Sequence, residues 1–270
     1  MAGRKSLAKS WRDIKTIALL TLDTLFWSKK TIFVLLISVF VLGVAVLGRV
    51  ILAFGLIPGA LTATQVFSTL MATSVIRFLV VFITLFYGTA LISEEVEGRT
   101  LTYLFVRPIP KPAIMLGKFL ALAWIGAILV LPTIVFSYVI LYAGADMGLL
   151  MRDLPVLVQD IGIVFLALLA YGSFFSLLGA WLKHPILIGL IYAFGWEGIV
   201  ALLPGFTRKL TITHYIQSIF PHDETLGAIA MLIGERSSAV ESVTTLVLLT
   251  AFFLSTAALV LREKEYVLDQ

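Results

Sequence analysis

The sequence contains no cysteine. That excludes a disulfide framework, a thiolate zinc site and a thiol nucleophile, and it leaves the compartment open. Charge is scarce: Asp, Glu, Lys and Arg make up 13% of 270 residues, against about 25% in a soluble globular domain. No large soluble domain can be cut from such a chain. Histidine occurs three times, at His184, His214 and His222. No carboxylate–histidine pattern surrounds them, so they read as surface residues, and no metal site is expected. The phosphate-binding loop GxxxxGK[ST] is missing. Gly117-Lys118 is followed by Phe119 rather than Ser or Thr, so nothing here cradles a nucleotide. Tyr171-Gly172-Ser173-Phe174-Phe175-Ser176 does not match GxSxG. An intramembrane enzyme would need a reactive constellation, and none is found; no catalytic residue is named.

Apolar residues are abundant. They make up 60% of the chain, and mean hydropathy is +1.05. The fold class is therefore an all-α, polytopic membrane protein. About 20 apolar residues cross the hydrocarbon core as a helix, and six segments qualify: Thr31–Ile51, Val66–Ile92, Ala113–Ala143, Asp160–Leu182, Pro185–Leu203 and Val243–Leu261. The third is long enough to protrude, and Pro132 is expected to kink it. Residues 144–159 read as a short outer loop. Residues 204–242 form the largest outer segment, broken by Pro204-Gly205 and Pro221. Within it Gly227–Gly234 is apolar but too short to span, which suits a re-entrant or interfacial piece. Lys183-His184-Pro185 is a tight inner turn. No internal repeat is evident, which counts against inverted-repeat secondary transporters. Gly172, Gly179, Gly189 and Gly195 would permit close helix packing, and the aromatic residues read mainly as scaffold.

Three domains of unequal size follow: a cytoplasmic interfacial helix over 1–30, a transmembrane domain over 31–262, and a short cytoplasmic tail over 263–270. In the first, Trp11, Ile14, Ala18, Leu22 and Leu25 recur at helical spacing, with Arg12, Asp13, Lys15 and Asp23 between them. That pattern predicts a helix lying in the membrane interface, apolar side down. No small-x-small cleavage site follows the first apolar run, so this lead-in reads as a retained signal anchor.

With the N-terminus inside, six spans return the C-terminus to the same side. Fourteen of the twenty basic residues then fall on inner segments, while the sixteen acids divide evenly. A bias carried by cations alone obeys the positive-inside rule. It also accounts for the net charge of +4 without nucleic acid. The expected location is the cell membrane, multi-pass, with both termini cytoplasmic.

The inner segment from Ser93 to Lys118 carries more charge than any other interior stretch. Glu94, Glu95 and Glu97 precede Gly98, an arrangement that suits a helix N-terminus. Leu101 and Leu104 lie on an apolar side fit for a protein groove, and Arg107-Pro108 stops the helix. The plain alternative is a solvated loop whose charges merely stop translocation.

Two charges lie inside spans. Glu197 is about 12 residues into the fifth, roughly 18 Å deep, and Arg77 is about 15 residues from the inner end of the second, roughly 23 Å. An unpaired charge there is costly. Two readings compete. In one, the pair join or line a polar cavity near an outer gate. In the other, each reaches the interface through a broken helix.

The run Glu95-x-x-Gly98-x-Thr100-Leu101-x-x-Leu104-x-x-x-Pro108-Ile109-x-Lys111, followed by Gly117-Lys118, resembles the segment after the second span in permease subunits of type-2 ABC exporters. It departs from that pattern by placing Arg99 between Gly and Thr. The resemblance extends to the interfacial helix, the six spans and the broken outer segment. It implies two paired permeases, a second copy or a related chain, acting with separate ABC ATPase subunits that hold ATP and Mg; this chain would carry no cofactor. The coupling surface would comprise Glu94, Glu95, Glu97, Gly98, Arg99, Thr100, Leu101, Leu104, Arg107, Pro108, Lys111 and Lys183. The rival function is a gradient-driven secondary transporter or channel using Arg77 and Glu197 directly. A membrane anchor for some other complex also stays open.

Overall fold

The computed structural model describes residues 2–55, 62–97, 110–144, 147–202, 206–220 and 237–263; of residues 2–11, 94–97, 147, 201–202 and 206 it describes the backbone alone. Helix α1 (Ala2–Phe26) is followed, after a bend at Ser28, by α2 (Lys29–Phe54). Gly55 ends α2 at φ 59°, its N–H donating to the Ile51 carbonyl. This left-handed cap favours glycine.

Thr62 and Gln65 form a reciprocal capping box that opens α3. This helix runs through three joined parts: Ala63–Leu70, a π-helical stretch Met71–Val80, and Val81–Glu97. Helix α4 (Lys111–Tyr142) begins with proline in its first turn and carries Pro132 inside. Helix α5 is Met147–Trp181. Helix α6 is again composite: Pro185–Leu190, a π-helical Ile191–Trp196, and Glu197–Leu202. A 3₁₀ turn (Phe206–Leu210) leads into α7 (Ile212–Ile219), and α8 is Ala239–Glu263.

The fold is all-helical, with no strand among the described residues. Among the described residues, five helices are long and apolar enough to cross a membrane: α2, α3, α4, α5 and α8. The expected fifth span is shorter. Its apolar helix runs Pro185–Val200, bounded at its start by Pro185 and beyond its end by Pro204-Gly205. The apolar Gly227–Gly234 stretch lies outside the described residues.

The loop expected at 144–159 is mostly helix, because α5 starts at Met147. Its loop-type residues have partners that the sequence does not reveal. Asp153 is buried and accepts hydrogen bonds from Thr64 Oγ1 and Tyr142 Oη, each at 2.7 Å. Tyr138 Oη donates to the Leu150 carbonyl at 2.7 Å. These three hydrogen bonds clasp α3, α4 and α5 together, and a bare loop would lack them. Pro155 costs one helix hydrogen bond, and α5 continues through it.

The core lies between α3 and α5. Leu85 and Ile83 of α3 and Phe175, Tyr171 and Val164 of α5 are fully or almost fully buried. Glycines let the two backbones approach. A Cβ at Gly88 would stand 3.0 Å from the Cβ of Phe175, and one at Gly179 would collide with the Thr89 carbonyl. Gly172 and Gly189 face the side chains of Leu122 and Leu85 in the same way, whereas Gly195 has only Ile191 at 3.8 Å.

Helix α1 buries Ile14, Ile17 and Leu25, a helical stripe, and leaves Leu19 and Leu20 exposed. Ile14 and Ile17 lie against α4. Of the apolar stripe read from the sequence, Ile14 and Leu25 are buried against protein, and Ala18 and Leu22 are half-buried.

Substituting alanine at Gly179 should cost about 1–3 kcal/mol, because the obstacle is backbone and cannot rotate away. Gly43→Ala is the control, since a Cβ there would meet nothing within 4 Å and the residue sits on exposed helix. Thermal midpoints in mild detergent should fall for the first and stay level for the second.

Candidate functional site

Two places gather chemistry-bearing side chains, one toward each end of α3. At the one beside Arg77, Glu197 opens the last part of α6 and is 5% exposed. Its Oε2 accepts from Tyr171 Oη at 2.5 Å and from Thr213 Oγ1 at 2.6 Å; its Oε1 accepts from Tyr192 Oη at 3.2 Å. Tyr171 and Thr213 are 2.8 Å apart through their own hydroxyls. Three elements thus converge on one carboxyl: α5, α6 and α7.

Local geometry explains how. Tyr192 and Glu197 are five residues apart, and residues at that spacing do not share a face of an α-helix. The π-helical turn over Ile191–Trp196 carries i→i+5 hydrogen bonds, and it brings the two side chains together. Thr213 follows the N-cap of α7, where Thr211 accepts from the His214 N–H.

Glu197 and Arg77 line the same cleft. Its walls are Arg77, Phe78, Val81, Ala193, Phe194, Gly198 and Thr213, and its volume is about 150 Å³. Both π-helical stretches border it: Arg77 and Phe78 belong to the one in α3, Ala193 and Phe194 to the one in α6. Phe78 and Phe194 stand with centroids 6.3 Å apart, and Phe82 lies 5.5 Å from Phe194. Arg77 is exposed. Among the described residues no ion pair joins it to Glu197.

At the other, beyond Glu97, Gly98, Arg99, Thr100, Leu101, Leu104, Arg107 and Pro108 lie outside the described residues. Glu94, Glu95 and Glu97 sit on the last turns of α3, with their backbone alone described; this is a helix C-terminus, not the N-terminus expected from the sequence, because α3 continues past the end of its apolar run at Ile92. Lys111 opens α4 and donates to the Arg262 carbonyl at 3.1 Å, tying α4 to the end of α8. Lys183 lies in the bend between α5 and α6.

The Gly-Lys pair gains a physical role. A Cβ at Gly117 would stand 2.9 Å from the Ile14 carbonyl oxygen and 3.0 Å from Ile17, so only glycine lets α1 press this closely on α4. Lys118 is 2% exposed and donates from Nζ to the Leu91 carbonyl at 2.6 Å. It thereby fastens α4 to the stretch of α3 that leads into the inner segment. A second knot joins α1, α2 and α3: Thr31 Oγ1 donates to the Leu25 carbonyl at 2.8 Å and meets Tyr87 Oη at 2.6 Å.

The family model for "ABC-2 family transporter protein" matches residues 25–195, well over half the chain. The chain belongs to the ABC-2 transporter family. Membership makes it a multi-pass membrane permease of an ABC transporter: a transport subunit, distinct from the nucleotide-binding domain, that partners an ABC ATPase subunit. Comparison with curated proteins gives no match. The matched range includes the inner segment, Lys118, Arg77 and Tyr171, and it ends two residues before Glu197.

Sequence reasoning missed Tyr171, Tyr192 and Thr213 as partners of Glu197. They lie 26 and 5 residues before it and 16 after, spacings that carry no periodic signal. The one usable clue was that a carboxyl in an apolar run needs donors.

Tyr171→Phe should lower stability by about 1–3 kcal/mol by removing a short bond to a buried carboxyl. Phe keeps the ring volume, so a loss seen in the thermal midpoint reports the hydroxyl. A separate effect concerns His214 on α7. Burial, then Lys209 and Arg208, push its pKa below the ordinary histidine value, and Glu241 acts in the opposite sense. The fold thus favours neutral imidazole. Stability from this group is complete above about pH 6.5 and declines as pH falls below that toward the lower folded value. In a midpoint-versus-pH series, His214→Gln should flatten that part of the curve.

Proposed function

We propose that this permease serves an ATP-driven exporter. It works as a pair, with a second copy or a related chain, and forms the translocation path between them. Separate ATPase subunits hold ATP and Mg and dock on the inner segment 93–112 and on Lys183. The domain layout is an interfacial helix over 1–30, a six-span domain over 31–262 that counts α6 as the fifth span and includes a re-entrant outer piece, and a tail over 263–270. Both termini lie in the cytoplasm, at the cell membrane. Fourteen of twenty basic residues on the inner segments support that orientation.

The family match carries this reading, since it runs through the inner segment. Helix geometry supports the coupling route. Helix α3 runs without a break from Ala63 through Arg77 to Glu97. A push at its inner end therefore reaches the cleft along one stiff rod. Lys118 and Gly117 bind α4 and α1 to that rod's base, so the three elements share the load. The cleft lined by Arg77 and Glu197 favours a second reading, a gradient-driven transporter that needs no ATPase.

Purification from native membranes in mild detergent separates the two. The exporter reading expects a stoichiometric subunit bearing Walker motifs, lost when Glu95→Arg and Arg107→Glu are combined. A stable chain recovered without any ATPase, from cells that express its neighbours, would favour the gradient-driven transporter.

A further inference from the structure

Arg77 and Glu197 bear opposite charge and line one cleft, yet they do not pair. Glu197 is instead bound by three hydroxyls, from Tyr171, Thr213 and Tyr192. An ionised carboxyl offers about four acceptor positions. Oε2 has two short hydroxyl bonds, while the hydroxyl bond to Oε1 is longer, at 3.2 Å, so the carboxyl is not saturated by its hydroxyl partners. Arg77 has no hydrogen bond or ion pair among the described residues, although it sits in the second apolar span. Such an intramembrane charge requires a partner.

Between the two charges the walls are apolar and aromatic: Phe78, Phe194, Val81 and Ala193. Phe78 and Phe194 are each about half exposed, so ring surface is open. Aromatic faces attract ammonium and quaternary nitrogen. Arg offers a planar fork of donors that suits carboxylate or phosphate. A simple cation entering the cleft would meet the Arg77 guanidinium, and a simple anion would meet the Glu197 carboxyl. Repulsion of either is strong where water is scarce. Only a molecule carrying both signs satisfies both ends. The space of about 150 Å³ equals that of roughly five waters, the scale of a small headgroup.

We infer that this cleft binds a zwitterion, its nitrogen at Glu197 and the rings of Phe78 and Phe194, its oxyanion at Arg77. The inference rests on the transport reading and names the ligand chemistry of that path. The same chemistry occurs in a soluble zwitterion and in the headgroup of a membrane lipid.

Binding is measured on the full chain, purified in detergent without its ATPase, by titration calorimetry. The probes are glycerophosphoethanolamine, dihexanoyl phosphatidylethanolamine, dimethyl phosphate and ethanolamine. At least one of the first two should bind ten-fold or more tightly than either of the last two. Equal affinity for both zwitterions identifies a soluble ligand; affinity for the lipid alone identifies a headgroup. Arg77→Gln, at an exposed position whose side chain makes no hydrogen bond among the described residues, should reduce that affinity at least ten-fold, and Arg77→Lys should restore part of it. Phe194→Leu should weaken the zwitterion more than dimethyl phosphate. The inference is overturned if neither zwitterion binds, if dimethyl phosphate or ethanolamine alone binds as well, or if Arg77→Gln leaves affinity unchanged. No ATPase takes part, so failure here leaves capture of an ATPase untouched, and failure of that capture leaves this binding untouched.

Discussion

The backbones of α3 and α5 lie nearly in contact, with Gly88 and Gly179 in place of side chains that would hold them apart. In a bilayer no hydrophobic force drives two helices together, and close packing of small residues takes over that role. Both functional ends depend on this contact. Helix α3 carries Arg77 in its π-helical stretch and the acidic turn at its end, while α5 carries Tyr171 to the buried carboxyl. If the two rods could slide, neither the cleft nor the inner joint would keep its shape.

The cleft departs from regular helix on both sides. A π-helical turn widens the local backbone and occurs most often at functional sites. Two of them face each other across one space, in α3 and in α6. In α6 the distortion has a visible effect, since it lets Tyr192 reach Glu197. The strain of an irregular ladder is offset by hydrogen bonds to a carboxyl that would otherwise be stranded.

Much of the architecture was legible because apolar length is a strong signal. The runs that form α2, α3, α4 and α8 match their helices to within a few residues. The stretch 144–159 was not legible, because Asp146, Asp153 and Pro155 look like loop chemistry when the partners of Asp153, Thr64 and Tyr142, lie far along the chain. The stripe of α1 was visible as a period, but a period does not say whether lipid or α4 covers it. Arg77 and Glu197 stood out by charge alone. The hydroxyls around Glu197 could not, since spatial convergence of α5, α6 and α7 leaves no pattern in sequence.

Helix α4 also acts as a ruler. Gly117, where α1 crosses it, and Tyr142, its last residue, are 25 residues apart, or about 37 Å of helix. The hydrocarbon layer is about 30 Å thick. If α1 rests at the inner surface, Tyr142 has already cleared the far one. The clasp of Asp153, Tyr142 and Thr64 then sits among headgroups and water, where a carboxylate keeps its charge at little cost. Asp153 and Glu197 are both buried acids, and in each the lost hydration is replaced by tyrosine and threonine hydroxyls, the same solution reached at two places in one bundle.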